Sequence, residues 1–203
     1  MPAASKLKLS PEELQLVSDP QWILTKRSII ETVNELFGQL AAAMQPHVAA
    51  CGHYLPAAVV QPAPKMARGE NYLQLPYVIL DYPRCFEKEN IFAIRTMFWW
   101  GNFFSVTLHL SGKYKTAFEK NILRALESGG QEYYICVNEE EWQHHFEPGN
   151  YRLAMDLDAG EKAALFARHR FIKIAVRFPL QQWNEMPALL ENAFLEMLKL
   201  AAG

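Results

Sequence analysis

His109 stands in a run whose other polar residues are the hydroxyls Ser105, Thr107 and Ser111, with Thr96 on the segment before it. An imidazole among hydroxyls suits a general base, because its ordinary pKa lies near neutrality and it can hold or pass a proton. No GxSxG elbow accompanies it, so no residue is assigned a catalytic role, and the plainer reading is a polar residue on a half-exposed sheet. Lys65, Arg68 and Glu70 form a second compact group. The two cations suit an anion, with Glu70 orienting one of them; the alternative is a solvated turn at Gly69. Asp81, Arg84 and Arg95 are a third group. An arginine on an apolar face is costly unless paired, so Asp81 and Arg95 read first as an ion bridge inside a sheet and second as a substrate clamp. His47, Cys51 and His53, and the adjacent His144 and His145, offer ligand atoms without the usual zinc spacings, and no glycine-rich phosphate loop is present. No metal and no cofactor is expected.

One hairpin must position most of these residues. Ile91 to Trp100 and Phe103 to Ser111 are rich in aromatic and β-branched residues and flank Gly101-Asn102, a pair suited to a two-residue primed turn. Such a turn pairs Trp100 with Phe103, Trp99 with Phe104, Met97 with Val106, Arg95 with Leu108 and Ala93 with Leu110. Side chains alternate along a strand. One face then carries Ala93, Arg95, Met97, Trp99, Phe104, Val106, Leu108 and Leu110 and is expected to pack on helices. The other carries Thr96, Thr107 and His109 with Trp100 and Phe103 at the tip. A slip of one residue would exchange these faces. Trp99, Trp100, Phe103 and Phe104 are each worth roughly 1.5–3 kcal/mol when buried, so the tip must be covered by the chain's own helices, a second copy or a ligand.

Flanking elements follow from caps and periodicity. Ser10-Pro11-Glu12-Glu13 reads as the capping box of a short helix ending near Ser18, after a frayed tail over 1–9. Asp19-Pro20 starts a longer helix, with Ile29, Ile30, Val33, Leu36, Phe37, Leu40 and Met44 on one stripe and Pro46 at its end. Residues 46–76 read as loop, with Val59-Val60 a short strand. Tyr77 to Tyr82 reads as a strand stopped by Pro83, followed by a loop to Asn90. Thr116 to Glu119 resembles a second capping box, opening a helix stopped by Gly129-Gly130. Tyr133 to Val137 and Phe171 to Phe178 read as strands, Glu139 to Phe146 as a short acidic helix, Gly160 to His169 as helix, and a last helix runs to Ala201. Strands in the middle and helices at both ends make an α+β fold: a mostly antiparallel sheet with a long central hairpin and helices packed on one face. Residues 1–18 form a tail and short helix, and 19–203 a single domain.

Composition narrows the class. The hydrophobic fraction is 50% and the charged fraction 21%, ordinary for a globular chain long enough to bury a core. A net charge of −2 leaves no basic excess for nucleic acid, and Lys162, Arg168, His169, Arg170, Lys173 and Arg177 read as a solvated strand and helix edge. Cys51, Cys85 and Cys136 are odd in number and widely spaced, which reads as a reduced, cytoplasmic chain. No signal peptide or membrane-length apolar run is seen.

Leu75-Pro76 leading into a strand, the aromatic hairpin, the segment Glu132-Tyr133-Tyr134-Ile135, and a closing strand plus helix together resemble the layout of the YktB-like family, small bacterial proteins of unknown function with a TBP-like fold. That resemblance implies a fold and no activity. The functional expectation is a binding domain for a ligand or partner, using Lys65, Arg68, Arg84, Thr96, Thr107 and His109. Trp99, Trp100 and Phe103 are the expected interface. The rivals are a small enzyme acting on an anionic molecule, and a structural homodimer. The partner is a small anion or another copy, not nucleic acid or membrane.

Overall fold

In the computed structural model, which describes residues 7–128 and 132–202, the chain is an α+β fold with helices at both ends. Helix α1 (Pro11–Ser18) opens on the expected capping box: Ser10 Oγ accepts from Glu13 N at 3.1 Å and Glu13 Oε2 from Ser10 N at 2.7 Å. Asp19 caps α2 (Pro20–Ala50) by accepting from Gln21 N. Pro46 does not end α2. Proline forfeits a backbone hydrogen bond, but the apolar stripe continues through Met44 to fully buried Val48, and packing carries the helix one turn further. The first turns of α2, with Trp22, Ile23 and Leu24, stay exposed beside Leu14, Leu16 and Val17 of α1.

The expected loop over 46–76 resolves into structure. Val59 and Val60 lie in a helical turn, α3 (Ala57–Val60), and the Lys65 to Tyr72 cluster is a strand, β1 (Lys65–Tyr72). Leu73 and Gln74, with φ of 46° and 68°, turn it into β2 (Leu75–Phe86). Left-handed backbone at two residues that are neither Gly, Asn nor Asp hides this hairpin from turn chemistry. Strand β2 also runs through Pro83. Its ladder shifts between Asp81 and Arg84, a bulge that absorbs a residue unable to donate.

Strands β3 (Ile91–Trp99) and β4 (Phe103–Ser111) form the expected hairpin with the register one position away from expectation. Trp99 pairs with Phe103, Met97 with Ser105, Arg95 with Thr107 and Ala93 with His109. The loop has three residues: Trp100 leaves the ladder, donating its N–H to Pro76 O at 3.0 Å, and Gly101 takes φ 71°. The expected pairing would have set Arg95 against Leu108. The observed one gathers Arg95, Thr107 and His109 on one face and sends Phe104, Val106, Leu108 and Leu110 to the other.

Helix α4 (Gly112–Ser128) begins before the expected cap; Thr116 Oγ1 donates back to Gly112 O instead of capping. The Gly129-Gly130 stop and residues 1–6 of the tail lie outside the described residues. Strands β5 (Tyr134–Cys136) and β6 (Tyr151–Leu153), helix α5 (Ala159–Arg168), β7 (Phe171–Pro179) and α6 (Met186–Ala202) complete the chain. The acidic helix expected over Glu139 to Phe146 is absent; that segment is irregular. The seven strands among the described residues join one antiparallel sheet in the order β1-β2-β3-β4-β7-β5-β6.

Helices α2, α4 and α6 pack on one face of this sheet. Val33, Phe37 and Met44 of α2 and Phe194 and Met197 of α6 meet Leu80, Ile94, Phe104, Val106 and Leu108 in the main core. The opposite face is covered by the loop from Val137 to Asn150, whose ends are clasped by the Val137 N to Asn150 O bond at 2.8 Å. Such a loop, closed at its base and packed by its own side chains, is the Ω type that often carries function. Among the described residues no helix is long and apolar enough to cross a membrane.

Candidate functional site

Two cross-strand rows build the centre of the sheet face beneath the loop. Asp81, Arg95 and Thr107 stand in register across β2, β3 and β4; Ala93, His109 and Lys173 do so across β3, β4 and β7. Asp81, Thr107, His109 and Lys173 are buried, Lys173 to 1% exposure. A polar patch this deep must be satisfied internally.

Arg95 and Asp81 meet as a fork on a carboxylate: Nε to Oδ1 at 2.7 Å and Nη2 to Oδ2 at 2.8 Å. Arg95 Nη1 faces His144 Nε2 at 3.3 Å, and its guanidinium lies 5.9 Å from the Trp142 ring. His109 Nε2 lies 3.1 Å from Glu141 Oε2. Burial pushes the His109 imidazole below its ordinary value, against the opposing pull of Glu141. The bond to His109 holds the Glu141 carboxyl below its ordinary range. A neutral imidazole can bond an ionised carboxylate only as a donor, so His109 carries its hydrogen on Nε2. Burial, then the charges of Lys173 and Arg95, pushes His144 well below the ordinary imidazole value.

Lys173 makes no ion pair among the described residues. Its Nζ donates to the main-chain carbonyls of Glu141, at 2.9 Å, and Gln143, and sits 5.3 Å from the Tyr151 ring centre. Burial lowers its pKa to about 8. Burial also raises the Cys136 thiol and holds the Tyr151 hydroxyl well above its ordinary value, the Thr107 bond opposing the latter. Arg95, Thr107, His109, His144 and Lys173 converge on one cavity of about 10 Å³, room for about one water.

The loop is fastened from below. Tyr72 Oη accepts from His144 N at 2.6 Å and His145 N at 3.0 Å. Phe146 stacks on Tyr151 at 4.6 Å and meets Phe103 and Tyr134 edge-on. Trp142, 44% exposed, lies over His109 at 5.4 Å and beside Phe86 at 6.4 Å. On the outer side, Glu139, Glu141, Arg168, His169, Arg170 and Phe171 line an open groove of about 480 Å³. Glu141 borders this groove and bonds His109, so its side chain stands between groove and buried cavity.

Of the residues expected in the site, Thr107 and His109 share the cavity. Thr96 lies on the helix-covered face, fully buried and with no partner for Oγ1 among the described residues, as the register shift requires. Lys65 stands beside Asp81 on the edge strand, whereas Arg68, three residues on, pairs with core residue Val78 and belongs to the other face. Arg84 Nε donates to Ala63 O, away from the cavity. Trp99 and Phe103, the expected interface, are buried by the chain itself, beneath Tyr72 and Phe146; Trp100 is half-buried against the helical core. The Asp81–Arg95 bridge is present, and Arg95 lies on the face away from the helices.

Lys173, Glu141, His144 and Tyr151 were not foreseen as site residues. The signal for Lys173 lay in its strand, where Phe171, Lys173, Ala175 and Arg177 alternate with Ile172, Ile174 and Val176. A lysine midway along such a strand faces a second buried layer or solvent, and periodicity alone cannot say which. Among the described residues no three His, Cys, Asp or Glu side chains are grouped to hold a metal ion. No family model, curated protein or solved structure matches the chain.

Proposed function

We propose that this chain is a binding domain for a small anion, taken up at the centre of the sheet face beneath the 137–150 loop. The observation that supports this is the gathering of cationic and hydrogen-bonding side chains around one small cavity. Arg95, Thr107, His109 and Lys173 line it, and the carboxylate that meets His109, Glu141, comes from the loop. A ligand carboxylate or phosphate displacing Glu141 would inherit the neutral His109 Nε2–H donor and a nearby ammonium as its charge match. The groove carrying Arg168 and Arg170 leads to that position. Free, buried Cys51, Cys85 and Cys136 fit a reducing cytoplasm.

Titration with inorganic phosphate, and separately with acetate and malonate, tests the reading by following the imidazole signals in NMR. The expected result is a saturable shift at His109, lost in Lys173→Met. Absence of any saturable shift, with the variant behaving like the parent chain, overturns it.

A further inference from the structure

We propose that Lys173 is an imine-forming amine, and that the ligand of this site is a small carbonyl compound bearing a carboxylate, such as a 2-oxo acid. This rests on the anion-binding reading above and names the reactive partner within it.

Three features of the site carry the assignment. Lys173 is 1% exposed and has no carboxylate partner among the described residues; neutral groups, two loop carbonyls and the Tyr151 ring, meet its charge instead of an ion pair. Burial is the larger cause that disfavours a charged Lys173, and Arg95, which lines the same cavity while paired with Asp81, adds to it; a cationic neighbour is a known way to activate a lysine. Its pKa of about 8 leaves a useful fraction of free amine near neutrality. Finally, the amine is held in place by the covering loop itself, through the Glu141 and Gln143 carbonyls. The cavity of about 10 Å³ admits no ligand while the loop is down. Imine formation therefore requires the loop to lift, which would free Nζ and open the cavity together.

The chemistry balances without a further reagent. The Nζ lone pair forms a bond to the carbonyl carbon while the C=O π pair moves to oxygen. One nitrogen proton passes to that oxygen, giving the carbinolamine. The second nitrogen proton follows, the C–O bond breaks, and water leaves as the C=N bond forms. His109 and His144, both neutral imidazoles on the cavity wall, are placed to carry these protons. The ligand carboxylate takes the place of Glu141.

The test traps the imine. The intact chain is incubated with pyruvate and sodium cyanoborohydride, whose hydride turns an imine into a stable secondary amine, and the labelled lysine is mapped by mass spectrometry. Expected is labelling of Lys173 at least about tenfold faster than of exposed Lys88 and Lys113, faster with pyruvate than with neutral acetone, and slowed by added phosphate. Labelling of Lys173 no faster than those surface lysines overturns the proposal, even where phosphate still shifts His109. If Lys173 is labelled selectively but phosphate neither slows it nor shifts His109, the amine assignment stands and anion binding falls.

Discussion

Lys173 and Glu141 meet ammonium to peptide carbonyl rather than charge to charge: Nζ donates to the Glu141 main-chain oxygen at 2.9 Å, while the Glu141 carboxylate turns to His109. One loop residue thus covers a sheet lysine with its backbone and an imidazole with its side chain. Loop position and site electrostatics are therefore coupled, and the predictions below probe that coupling.

The Asp81–Arg95 fork is nearly dry, with the side chains 6% and 15% exposed. Asp81→Asn leaves a buried guanidinium without its counter-charge and is expected to cost about 3–5 kcal/mol in urea unfolding. Adding Arg95→Met to it should recover most of that loss, because the unpaired charge is gone. A double variant no more stable than the single one refutes the account.

Acid should destabilise the fold in two steps. His109 and His144 sit below the ordinary imidazole value of 6.5, so as pH falls through that value the unfolded chain binds protons that the folded chain refuses. Glu141 adds stability above its ordinary 4.5 that is lost as pH falls toward its lowered folded value. The fall in stability between about pH 6.5 and 5 should be shallower in a His109→Gln, His144→Gln variant, as measured by urea midpoints.

Alkali acts in the other direction at Lys173. Between about 8 and 10.5 the unfolded lysine keeps a proton that the folded one has released, so its contribution to stability rises with pH over that window. Relative to Lys173→Met, the parent chain should gain unfolding free energy from pH 8 to pH 10. A constant difference would place the Lys173 titration elsewhere.

Tyr72 holds the loop through a single oxygen that accepts from two amides, His144 N and His145 N. Tyr72→Phe removes that acceptor. The expected loss is about 1–3 kcal/mol, with faster amide exchange confined to the loop. Exchange accelerated equally in the helical core would mean that Tyr72 acts on the whole fold instead.

Trp142 is the exposed lid over His109. Trp142→Ala should raise the rate at which diethyl pyrocarbonate modifies His109 by about tenfold or more, with little change in thermal midpoint, since the half-exposed indole lies outside the apolar cores. Unchanged modification would show that Trp142 does not gate the cavity.

Periodicity and caps made the outline legible: the Ser10–Glu13 box, the α2 stripe, the strand that begins at Phe171 and the last helix all lie where local chemistry puts them. Local chemistry failed where tertiary packing overrode it. Pro46 stays helical because Val48 is buried; Leu73 and Gln74 turn left-handed without glycine because β1 and β2 pair around them. The Gly101-Asn102 turn took one residue more than its composition suggests, and that residue decided the site.

The chain alone determined which residues alternate within each strand, so Arg95 was bound to share a face with Trp99, and Thr107 with His109. Which of those faces meet across strands was decided only in the folded state. Burying Phe104, Val106 and Leu108 against α2 and α6 while pairing Arg95 with Asp81 satisfies both the apolar area and the charge, and only the observed register does both. Lys173, Glu141 and His144 lie far apart in sequence from Arg95 and His109. Their convergence depends on β7 lying beside β4 and on the 137–150 loop folding back, contacts that no local pattern encodes.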